Sequence, residues 1–529
     1  MIEEITARRR YNAASDFVDA NVARGFGDKV AFVDPDRSIT YGALQARSFR
    51  FAAALRRLGL QPEDRLILLS HDSVDYPVVF FGAIRAGIVV VPLNTLLTAE
   101  QYAYMLTDSR PSAIVVAAPL AGAILPALDR LTRLRHVIVI GEPADLAPFK
   151  TCPAHRFEDL LGHEAAEPCT ADTLSDEVAF WLYTSGSTGD PKGVRHVHAS
   201  LMATARLMGQ GILGLSPNDT VFSAAKLFFA YGLGNAMSFP MSVGATTVLW
   251  PQRPLPDAVF DIMGRHHPTV FYAVPSLYAA LLAHPRMTAG AGSARLRLCV
   301  SAGEALPARI GERWRQKAGV DILDGLGSTE MLQTFLSNRP GEIRYGSSGK
   351  PVPGYEAKIV DEGGAELGNE EIGELMVRGP SAGDGYWNQR QKSRRTFVGE
   401  WTCTGDKYRR DRDGYYHYCG RTDDMFKVSG MWVSPFDVEA ALVSHEAVLE
   451  AAVIGKEDAD GLIKPKAFIV LKDGYDGDER LFDALKSHVK EYAGPWKYPR
   501  WIELRRDLPR TATGKIQRFK LREEDARSG

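Results

Sequence analysis

The sequence has few cysteines and no long apolar run. Its five cysteines are scattered among 529 residues, and no two of them form a CxxC pair. This pattern is typical of a reducing cytosol and gives no indication of a structural zinc site. The longest apolar stretch, Pro77 to Leu93, is interrupted by Arg85 and is too short to span a membrane. Residues 1–17 lack the apolar centre of a signal peptide, so we expect a cytoplasmic protein with no membrane partner.

The chain also lacks an excess of charge of one sign. Its formal net charge is −2 at pH 7, which gives no electrostatic reason to expect a nucleic acid or an anionic membrane surface as partner. Hydrophobic residues make up 45% and charged residues 24%, as in ordinary globular proteins. Because domains usually contain about 100–200 residues, we expect two to four of them.

Two common nucleotide-binding motifs are missing. A Walker A loop ends in Gly-Lys followed by Ser or Thr. Lys192 is preceded by Pro191 instead of glycine, and Gly514-Lys515 is followed by Ile516, so neither lysine fits this pattern. The loop around Lys192 contains no GxGxxG pattern of the Rossmann type either. These absences disfavour the ordinary nucleotide-binding folds but not nucleotide binding itself.

The most conspicuous stretch that is present reads YTSGSTGDPKG, residues 183–193. It follows the apolar run Val178–Tyr183, which predicts a buried strand, and precedes His196–Ala203, where a helix could begin. A strand, a glycine-rich loop and a helix start together form a common phosphate cradle. The alternative is a solvated turn, because glycine, serine, threonine and proline favour turns for local backbone reasons.

The hydrophobic pattern predicts an α/β protein whose character changes near residue 350. Short apolar runs such as Arg65–Ser70 and Ala113–Ala117 alternate with helical segments such as Ala52–Leu58, which favours layers built on parallel sheets. Beyond residue 350, runs such as Glu356–Val360 stand between glycine- and aspartate-rich turns and predict antiparallel strands. The last hundred residues mix short strands with a helix at Asp478–Tyr492.

Further islands combine glycine with charged residues. Glu330 in GSTE could hold Mg²⁺, which takes one or two carboxylates together with phosphate oxygens, or it could cap a helix. Asp406 in TGD could bind ribose hydroxyls, and Arg421 in GRTDDMFKVSG could bind a phosphate. Lys515 in PRTATGKI could be a mobile cation. Taken alone, the islands of Asp406 and Arg421 could be surface turns, and Lys515 could be a solvated lysine of the C-terminal tail.

In order and spacing, YTSGSTGDPKG, GSTE, TGD, GRTDDMFKVSG and PRTATGKI resemble the signature motifs of the adenylate-forming enzymes. This family includes acyl- and aryl-CoA synthetases, peptide-synthetase adenylation domains and firefly luciferase. The resemblance covers nearly the whole chain. Within the family, AAKLFFAYGLG (224–234), SAGEAL (301–306) and GSTEMLQTFLSN (327–338) are most similar to benzoate-CoA ligases.

The resemblance implies the architecture and the substrates. We expect an N-terminal domain, residues 1–422, of two α/β subdomains plus a β-barrel, and a small mobile C-terminal α+β domain, residues 423–529, hinged at Asp423. The implied substrates are ATP, coenzyme A and an aryl carboxylate, with Mg²⁺ as cofactor. The sequence does not determine the oligomeric state, and a homodimer is one assembly consistent with it.

The resemblance also implies the site residues. It gives a catalytic role to Lys515, Glu330 and Thr329, with Glu330 as the metal ligand. The residues that the resemblance implies to bind ATP are Thr184, Ser185, Gly186, Ser187, Thr188, Gly189, Lys192, Gly303, Glu304, Asp324, Gly325, Thr329, Asp406, Arg421 and Lys515. Those implied to form the hinge or bind CoA are Asp423, Lys427, Ser429 and Gly430.

The implied acyl pocket consists of Ala230, Tyr231, Ala302, Gly303, Gly327, Gln333 and Thr334. Its small residues leave a flat slot, which fits a planar ring better than an alkyl chain. Benzoate-CoA ligases tend to carry a histidine and an aliphatic residue where this chain has Gln333 and Thr334. Because a buried unpaired amide is costly, a hydroxy- or amino-substituted benzoate could satisfy Gln333. Alternatively Gln333 bonds the backbone, and benzoate itself is the substrate.

The resemblance therefore predicts an AMP-forming aryl-CoA ligase, which makes an aryl-AMP and then an aryl thioester. A free-standing adenylation enzyme that loads a carrier protein is the main alternative. A luciferase-like oxygenase has no supporting feature. A non-catalytic nucleotide-binding protein would not need Glu330, Asp406, Arg421 and Lys515 together.

Overall fold

The computed structural model describes residues 9–142, 146–162, 169–186, 189–422, 424–428, 431–459, 461–510 and 516–528. Internal contacts divide the chain into two compact units. The larger unit comprises the described residues of Met1–Gly186, Asp190–Ala357 and Val377–Thr402. The smaller unit comprises those of Ser187–Gly189, Lys358–Met376 and Cys403–Gly529. The domain boundary at residue 423 stays a prediction.

A seven-stranded sheet forms from the first third of the chain, and all of its strands except β7 and β9 are short apolar runs of the sequence. The strands up to residue 197 are β1 (Val30–Val33), β2 (Ser38–Thr40), β3 (Arg65–Leu69), β4 (Val89–Pro92), β5 (Ala113–Ala117), β6 (His136–Ile140), β7 (Ala154–Arg156), β8 (Val178–Gly186) and β9 (Gly189–Val197). The sheet order is β7-β6-β5-β3-β4-β8-β9, and the pairs from β7 to β8 are parallel.

A second sheet, of nine strands, combines β1 and β2 with strands from the middle of the chain. These are β10 (Thr220–Ser223), β11 (Thr246–Val248), β12 (Val270–Ala273), β13 (Leu298–Ser301), β14 (Ile322–Gly327), β15 (Thr334–Ser337) and β16 (Lys350–Pro351). The order is β16-β15-β14-β13-β12-β10-β11-β1-β2. Strands β10 to β14 pair in parallel, so their carboxyl ends share one edge, where ligands bind in open α/β sheets.

Helices cover the two sheets of the larger unit. They are α1 (Tyr41–Arg57), α2 (Asp75–Arg85), α3 (Ala99–Ser109), α4 (Ala121–Leu128), α5 (Phe157–Gly162), α6 (His198–Thr204), α7 (Ala230–Leu233), α8 (Phe239–Val243), α9 (Pro256–His266), α10 (Pro275–Ala283), α11 (Ala308–Ala318) and α12 (Arg390–Thr396). Each sheet has its own apolar core, one around Ile67, Val116 and Trp181 and the other around Phe271 and Trp314. The predicted α/β class is confirmed.

The β-rich segment predicted beyond residue 350 is confirmed. A five-stranded sheet contains β17 (Glu356–Val360), β18 (Ile372–Arg378), β19 (Phe397–Val398), β20 (Trp401–Arg410) and β21 (Tyr416–Arg421). Strand β20 is antiparallel to both β19 and β21.

The smaller unit ends in an α+β arrangement, as predicted. Its later elements are β22 (Phe426–Val428), β23 (Met431–Val433), α13 (Pro435–Ser444), β24 (Val448–Glu457), β25 (Ile463–Leu471), α14 (Glu479–Ala493), β26 (Trp501–Leu504) and α15 (Arg518–Ser528). Strands β24, β25 and β26 form a three-stranded sheet, and α13 and α14 contribute Val438 and Leu485 to the core of the unit. Across the described residues, no helix is long and apolar enough to cross a membrane.

Candidate active site

The glycine-rich stretch lies between two neighbouring strands, not between a strand and a helix. Strand β8 ends at Gly186, β9 begins at Gly189, and α6 starts only at His198. The expected contribution of a helix N-terminus at this loop is therefore wrong. Thr184 on β8 and Lys192 on β9 are both half-buried. Ser187 and Thr188 lie outside the described residues, as do the side chains of Ser185, Gly186 and Gly189.

Thr329 and Glu330 lie in the turn that joins β14 to β15. The Thr329 carbonyl oxygen accepts hydrogen bonds from the Leu332 amide at 3.1 Å and from His196 Nε2 at 2.9 Å. The Glu330 carbonyl oxygen accepts from the Gly383 amide at 2.7 Å. Because Glu330 stands in a turn between two strands, the helix-capping alternative is excluded for it. Leu332 has φ 65°, a backbone conformation that is uncommon for leucine, so these bonds hold a strained turn in place.

The side chain of Glu330 is connected to Lys192 through Tyr386, a residue that the sequence analysis missed. The Tyr386 hydroxyl donates to Glu330 Oε1 at 2.7 Å. Lys192 Nζ lies 3.4 Å from the same phenol oxygen and 4.5 Å from the centre of the ring. The structure thus brings together the residues predicted to bind phosphate and metal, Lys192 and Glu330. The signal that could have drawn attention to Tyr386 is the short glycine-rich stretch GDGYW in which it lies.

His196 supports this turn as a neutral side chain. It is fully buried, its ring stacks on Phe180 with centroids 5.2 Å apart, and burial lowers its pKa to about 4 although the bond to Thr329 acts in the opposite direction. Because the Thr329 carbonyl can only accept, His196 Nε2 carries the proton. In the described residues His196 therefore contacts the backbone of the site rather than presenting a charge to a phosphate.

The predicted acyl pocket residues occupy α7, the end of β13, the end of β14 and the start of β15. The amide of Gln333, only 3% exposed, uses all four of its hydrogen-bonding positions within the protein. Its Nε2 donates to the carbonyl oxygens of Ala230 at 3.2 Å and Tyr231 at 3.1 Å. Its Oε1 accepts from the Thr334 amide and from Thr334 Oγ1, both at 2.9 Å. The sequence left open whether the Gln333 amide bonds a ring substituent or the backbone. In the structure it bonds the backbone.

Small residues bring these elements close together. A Cβ atom added to Gly327 would lie 2.8 Å from the carbonyl oxygen of Gln333, which is closer than real Cβ contacts allow. Ala302 is buried directly after β13, and Gly303 follows with φ +92°. The Tyr231 hydroxyl donates to the Val300 carbonyl oxygen at 3.1 Å, so the ring is fixed against β13. The residues predicted to form the acyl pocket are therefore held in fixed positions.

Four further residues predicted to bind ATP follow or lie in β13 and β14. Gly303 and Glu304 stand directly after β13, while Asp324 and Gly325 are buried within β14. Burial raises the pKa of Asp324 to about 8, opposed by hydrogen bonding that includes the Leu306 amide. The Leu306 amide donates to Asp324 Oδ2 at 3.4 Å. Asp324 is thus favoured in its neutral form at pH 7, which makes it a poor ligand for a metal ion.

The smaller unit contains a second group of predicted residues. Asp406 on β20 and Arg421 on β21 are opposite each other and form an ion pair with Oδ1 and Nη1 3.0 Å apart. Lys427 is exposed and lies 3.8 Å from Glu362. Asp423, Ser429, Gly430 and Lys515 lie outside the described residues. Their assigned roles stay predictions, as do those of Asp406, Arg421 and Lys427.

Comparison with known protein families identifies the two parts of the chain. Residues 19–387 match the AMP-binding enzyme family, and residues 437–515 match the AMP-binding enzyme C-terminal domain. The chain belongs to the AMP-binding enzyme family. The family predicted from the sequence motifs is thereby confirmed.

Among the relatives of this AMP-binding enzyme are two bacterial ligases of high identity. The 4-hydroxybenzoate–CoA/benzoate–CoA ligase of Rhodopseudomonas palustris is 55% identical over 97% of this chain and 94% of that protein. The benzoate–CoA ligase of Thauera aromatica is 53% identical over 97% of this chain and 96% of that protein. A benzoate CoA ligase structure from Burkholderia xenovorans LB400 superimposes with a TM-score of 0.88 at 49% identity, covering 97% of this chain and all of that one.

The donor set of this AMP-binding enzyme fits a divalent cation that arrives with a nucleotide. Within the described ranges, no three or more His, Cys, Asp or Glu residues are grouped so that they could hold a metal ion. Glu330 offers a half-buried carboxylate beside the cationic Lys192. Mg²⁺ usually keeps several water ligands and is held by one or two carboxylates plus substrate phosphates. These residues therefore suit Mg²⁺ bound jointly by protein and phosphate.

Proposed function

We propose that the chain is an AMP-forming aryl-CoA ligase, which converts benzoate or a hydroxy- or amino-substituted benzoate, ATP and CoA to aryl-CoA, AMP and pyrophosphate. The observation that carries this proposal is the identity of 55% and 53%, over 97% of the chain, to two CoA ligases acting on benzoate or 4-hydroxybenzoate. The motifs for nucleotide binding and the small residues at the predicted acyl-pocket positions support the same proposal.

The chemistry explains why such an enzyme needs two steps. A carboxylate is a poor electrophile, because its negative charge repels a nucleophile and oxide is a very poor leaving group. Attack of the carboxylate oxygen on the α-phosphorus of ATP forms an aryl-AMP and releases pyrophosphate. The CoA thiolate then attacks the carbonyl carbon, the bond to AMP breaks, and the thioester forms. No side-chain nucleophile is required.

The first step concentrates negative charge, so cations and N–H donors placed at that point accelerate it. Lys192 on β9 and Thr184 on β8 are suited to bind the β- and γ-phosphates. Glu330 would hold Mg²⁺, which supplies charge neutralisation at the phosphate oxygens when it is bound. Thr329, fixed by His196, would contact the nucleotide from the same turn. Lys515 would offset charge that develops during adenylation.

The acyl pocket favours benzoate itself. Gln333 has its amide satisfied by Ala230, Tyr231 and Thr334, so no buried amide requires a partner on the ring. A substituted ring is compatible with the pocket, since one relative acts on 4-hydroxybenzoate as well as benzoate. Alkyl acids fit a flat slot less well than a planar ring does.

A screen of the purified full chain tests this proposal. Pyrophosphate release and thioester formation are measured with ATP, Mg²⁺ and free CoA for benzoate, 4-hydroxybenzoate, 2-aminobenzoate, acetate and octanoate. We expect aryl thioesters to form with free CoA and no carrier protein, and benzoates to exceed octanoate and acetate. Aryl-AMP formation without thioester would favour the carrier-loading alternative. A preference for octanoate would contradict the pocket assignment.

The wider partners follow from this function and stay predictions. The small-molecule partners are ATP, CoA and the aryl carboxylate. We expect the cytoplasm as location, because five scattered cysteines without a CxxC pair are typical of a reducing compartment. A homodimer is one assembly consistent with the sequence, and light scattering of the purified protein would test it.

A further inference from the structure

Residues 383–387 form a backbone bracket between β9 and the turn that carries Glu330. The Asp384 amide donates to the Arg195 carbonyl oxygen at 2.9 Å, and the Arg195 amide donates to the Gly385 carbonyl oxygen at 3.0 Å. The Trp387 amide donates to the Gly193 carbonyl oxygen at 2.8 Å. At the other end, the Gly383 amide donates to the Glu330 carbonyl oxygen at 2.7 Å. The bracket thus joins the strand of Lys192 to the turn of Glu330.

The bracket is rigid because its residues are tightly packed. A Cβ atom added to Gly383 would lie 2.7 Å from Val194 Cγ1, so only glycine permits this approach. The Trp387 indole donates from Nε1 to the Asp108 carbonyl oxygen at 2.9 Å and packs on Trp181, with centroids 4.6 Å apart. The ring of Tyr386, in the middle of the bracket, meets Phe397 edge-on at 5.4 Å. The position of the Tyr386 phenol is therefore determined by the fold.

We propose that Tyr386 is a positioning residue for the adenylation step, and that it fixes Glu330 and Lys192 at a set separation. Its hydroxyl hydrogen goes to Glu330 Oε1, 2.7 Å away, while its oxygen faces the Lys192 ammonium at 3.4 Å. Thr396 Oγ1 lies 3.3 Å from the same oxygen and limits its rotation. One phenol thereby orients the group that would bind Mg²⁺ and the group that would bind phosphate.

The physical reason lies in the flexibility of the two charged side chains. Glutamate and lysine lose much rotamer freedom when they are ordered, whereas a tyrosine has only two side-chain torsions and is held here by its backbone. A phenol oxygen and ring face can hold an ammonium group without cancelling its charge. Tyr386 therefore prepares both groups before the nucleotide arrives. Partners of this kind, one step removed from a metal, typically change metal affinity about 10–100-fold.

The inference rests on the proposed function for the role of Glu330, and its test uses a binding measurement as well as catalysis. Tyr386→Phe keeps the ring, its contact with Phe397 and the backbone bracket, but removes the hydroxyl. Mn²⁺ serves as the probe, and its binding to the full chain is measured by electron paramagnetic resonance with a non-hydrolysable ATP analogue. Tyr345→Phe is the matched control, because the Tyr345 hydroxyl also donates to a carboxylate, Asp321, at 2.8 Å in the same unit.

We expect Tyr386→Phe to weaken Mn²⁺ binding in the ternary complex about 10–100-fold, with an unchanged thermal midpoint and a raised Mg²⁺ requirement for aryl-AMP formation. The control variant should bind Mn²⁺ as the wild type does. A double-mutant cycle distinguishes this positioning role from a purely structural one. In a Glu330→Gln background, Tyr386→Phe should weaken Mn²⁺ binding little further.

Equal Mn²⁺ binding in Tyr386→Phe and wild type would overturn the inference. An equal loss of Mn²⁺ binding in Tyr345→Phe would overturn it as well. So would additive effects of Tyr386→Phe and Glu330→Gln on Mn²⁺ binding. Failure of the proposed function looks different. In that case the wild type forms no aryl-CoA, while the dependence of Mn²⁺ binding on Tyr386 persists.

Discussion

His196 donates a hydrogen bond from Nε2 to the carbonyl oxygen of Thr329 over 2.9 Å, next to the residue predicted to hold the metal. Its other ring nitrogen, Nδ1, is buried and has no hydrogen-bond partner among the described residues. Protonation of Nδ1 would place a full charge in a site without solvent. The imidazole is therefore built into the turn of Thr329 and Glu330 as a neutral group.

The first prediction concerns the pH dependence of stability. Burial lowers the folded-state pKa of His196 to about 4 from its ordinary 6.5, so between these values the unfolded chain binds more protons. The contribution of neutral His196 to the free energy of unfolding is therefore complete above pH 6.5 and is lost as the pH falls toward 4. His196→Gln can still donate to Thr329 but does not titrate.

Urea unfolding of both proteins between pH 4.5 and 7.5 checks this prediction. The free energy of unfolding of wild type relative to His196→Gln should decrease by up to about 1.4 kcal/mol per unit of falling pH. His198, whose pKa burial also lowers to about 4, is present in both proteins and cancels in the difference. A difference that stays constant across this range would show that His196 does not titrate as described.

The second prediction concerns ring selectivity. Gln333→Met keeps the length of the side chain but removes the donors to Ala230 and Tyr231. We expect kcat/KM for benzoate to fall about tenfold, because two buried carbonyl groups lose a hydrogen bond. The ratio of kcat/KM for benzoate over 4-hydroxybenzoate should change less than about threefold, far below the 10⁴–10⁵ that a bonded substrate hydroxyl can give. A shift in this ratio beyond tenfold would mean that Gln333 contacts the ring substituent.

Much of the fold could be predicted because the buried parallel strands are continuous apolar runs. Ala113–Ala117 is both the predicted run and the observed β5. The predicted helix at Asp478–Tyr492 is α14, which begins after an Asp478 cap that accepts from the Leu481 amide. Strand β9 was missed because GDPKG has the composition of a loop, and its pairing with β8 depends on a neighbour that the local sequence does not reveal.

The candidate site was predictable only where residue type determines role. Glu330 and Lys192 carry charge on glycine-rich segments, and this drew attention to them. Tyr386 also lies on a glycine-rich stretch but carries no charge, and its importance comes from the pairing of residues 384–387 with β9, nearly two hundred positions earlier. The partners of Gln333 were undetermined for a similar reason, because an amide can bond a ligand or a backbone carbonyl equally well.

The third prediction concerns the metal ion. Glu330→Gln preserves shape and removes the charge that Mg²⁺ prefers. We expect aryl-AMP formation to fall about 10²–10³-fold, most strongly at limiting Mg²⁺, with an unchanged thermal midpoint. Glu312→Gln, an exposed change on α11 in the same unit, is the control and should retain activity. Normal rates for Glu330→Gln at limiting Mg²⁺ would remove Glu330 from the metal site.

The fourth prediction separates the two half-reactions. The resemblance to adenylate-forming enzymes implies that the C-terminal domain rotates about Asp423 between the steps, so that Lys515 serves adenylation alone and the segment around Gly430 serves thioester formation. Loss of one preorganised charge typically costs about 10²–10³-fold in rate. Lys515→Ala should therefore lose that much in pyrophosphate release from benzoate and ATP, yet convert supplied benzoyl-AMP and CoA to thioester at nearly the wild-type rate.

Gly430→Trp should behave in the opposite way, because a bulky side chain would obstruct the path of the thiol without touching the phosphates. Lys520→Ala is the matched control for Lys515, since it removes the same charge from an exposed position on the nearby helix α15 and should leave both steps intact. Both half-reactions are measured on all three variants. If Lys515→Ala slows both steps equally, the lysine serves one fixed site, and alternation of the C-terminal domain does not explain it.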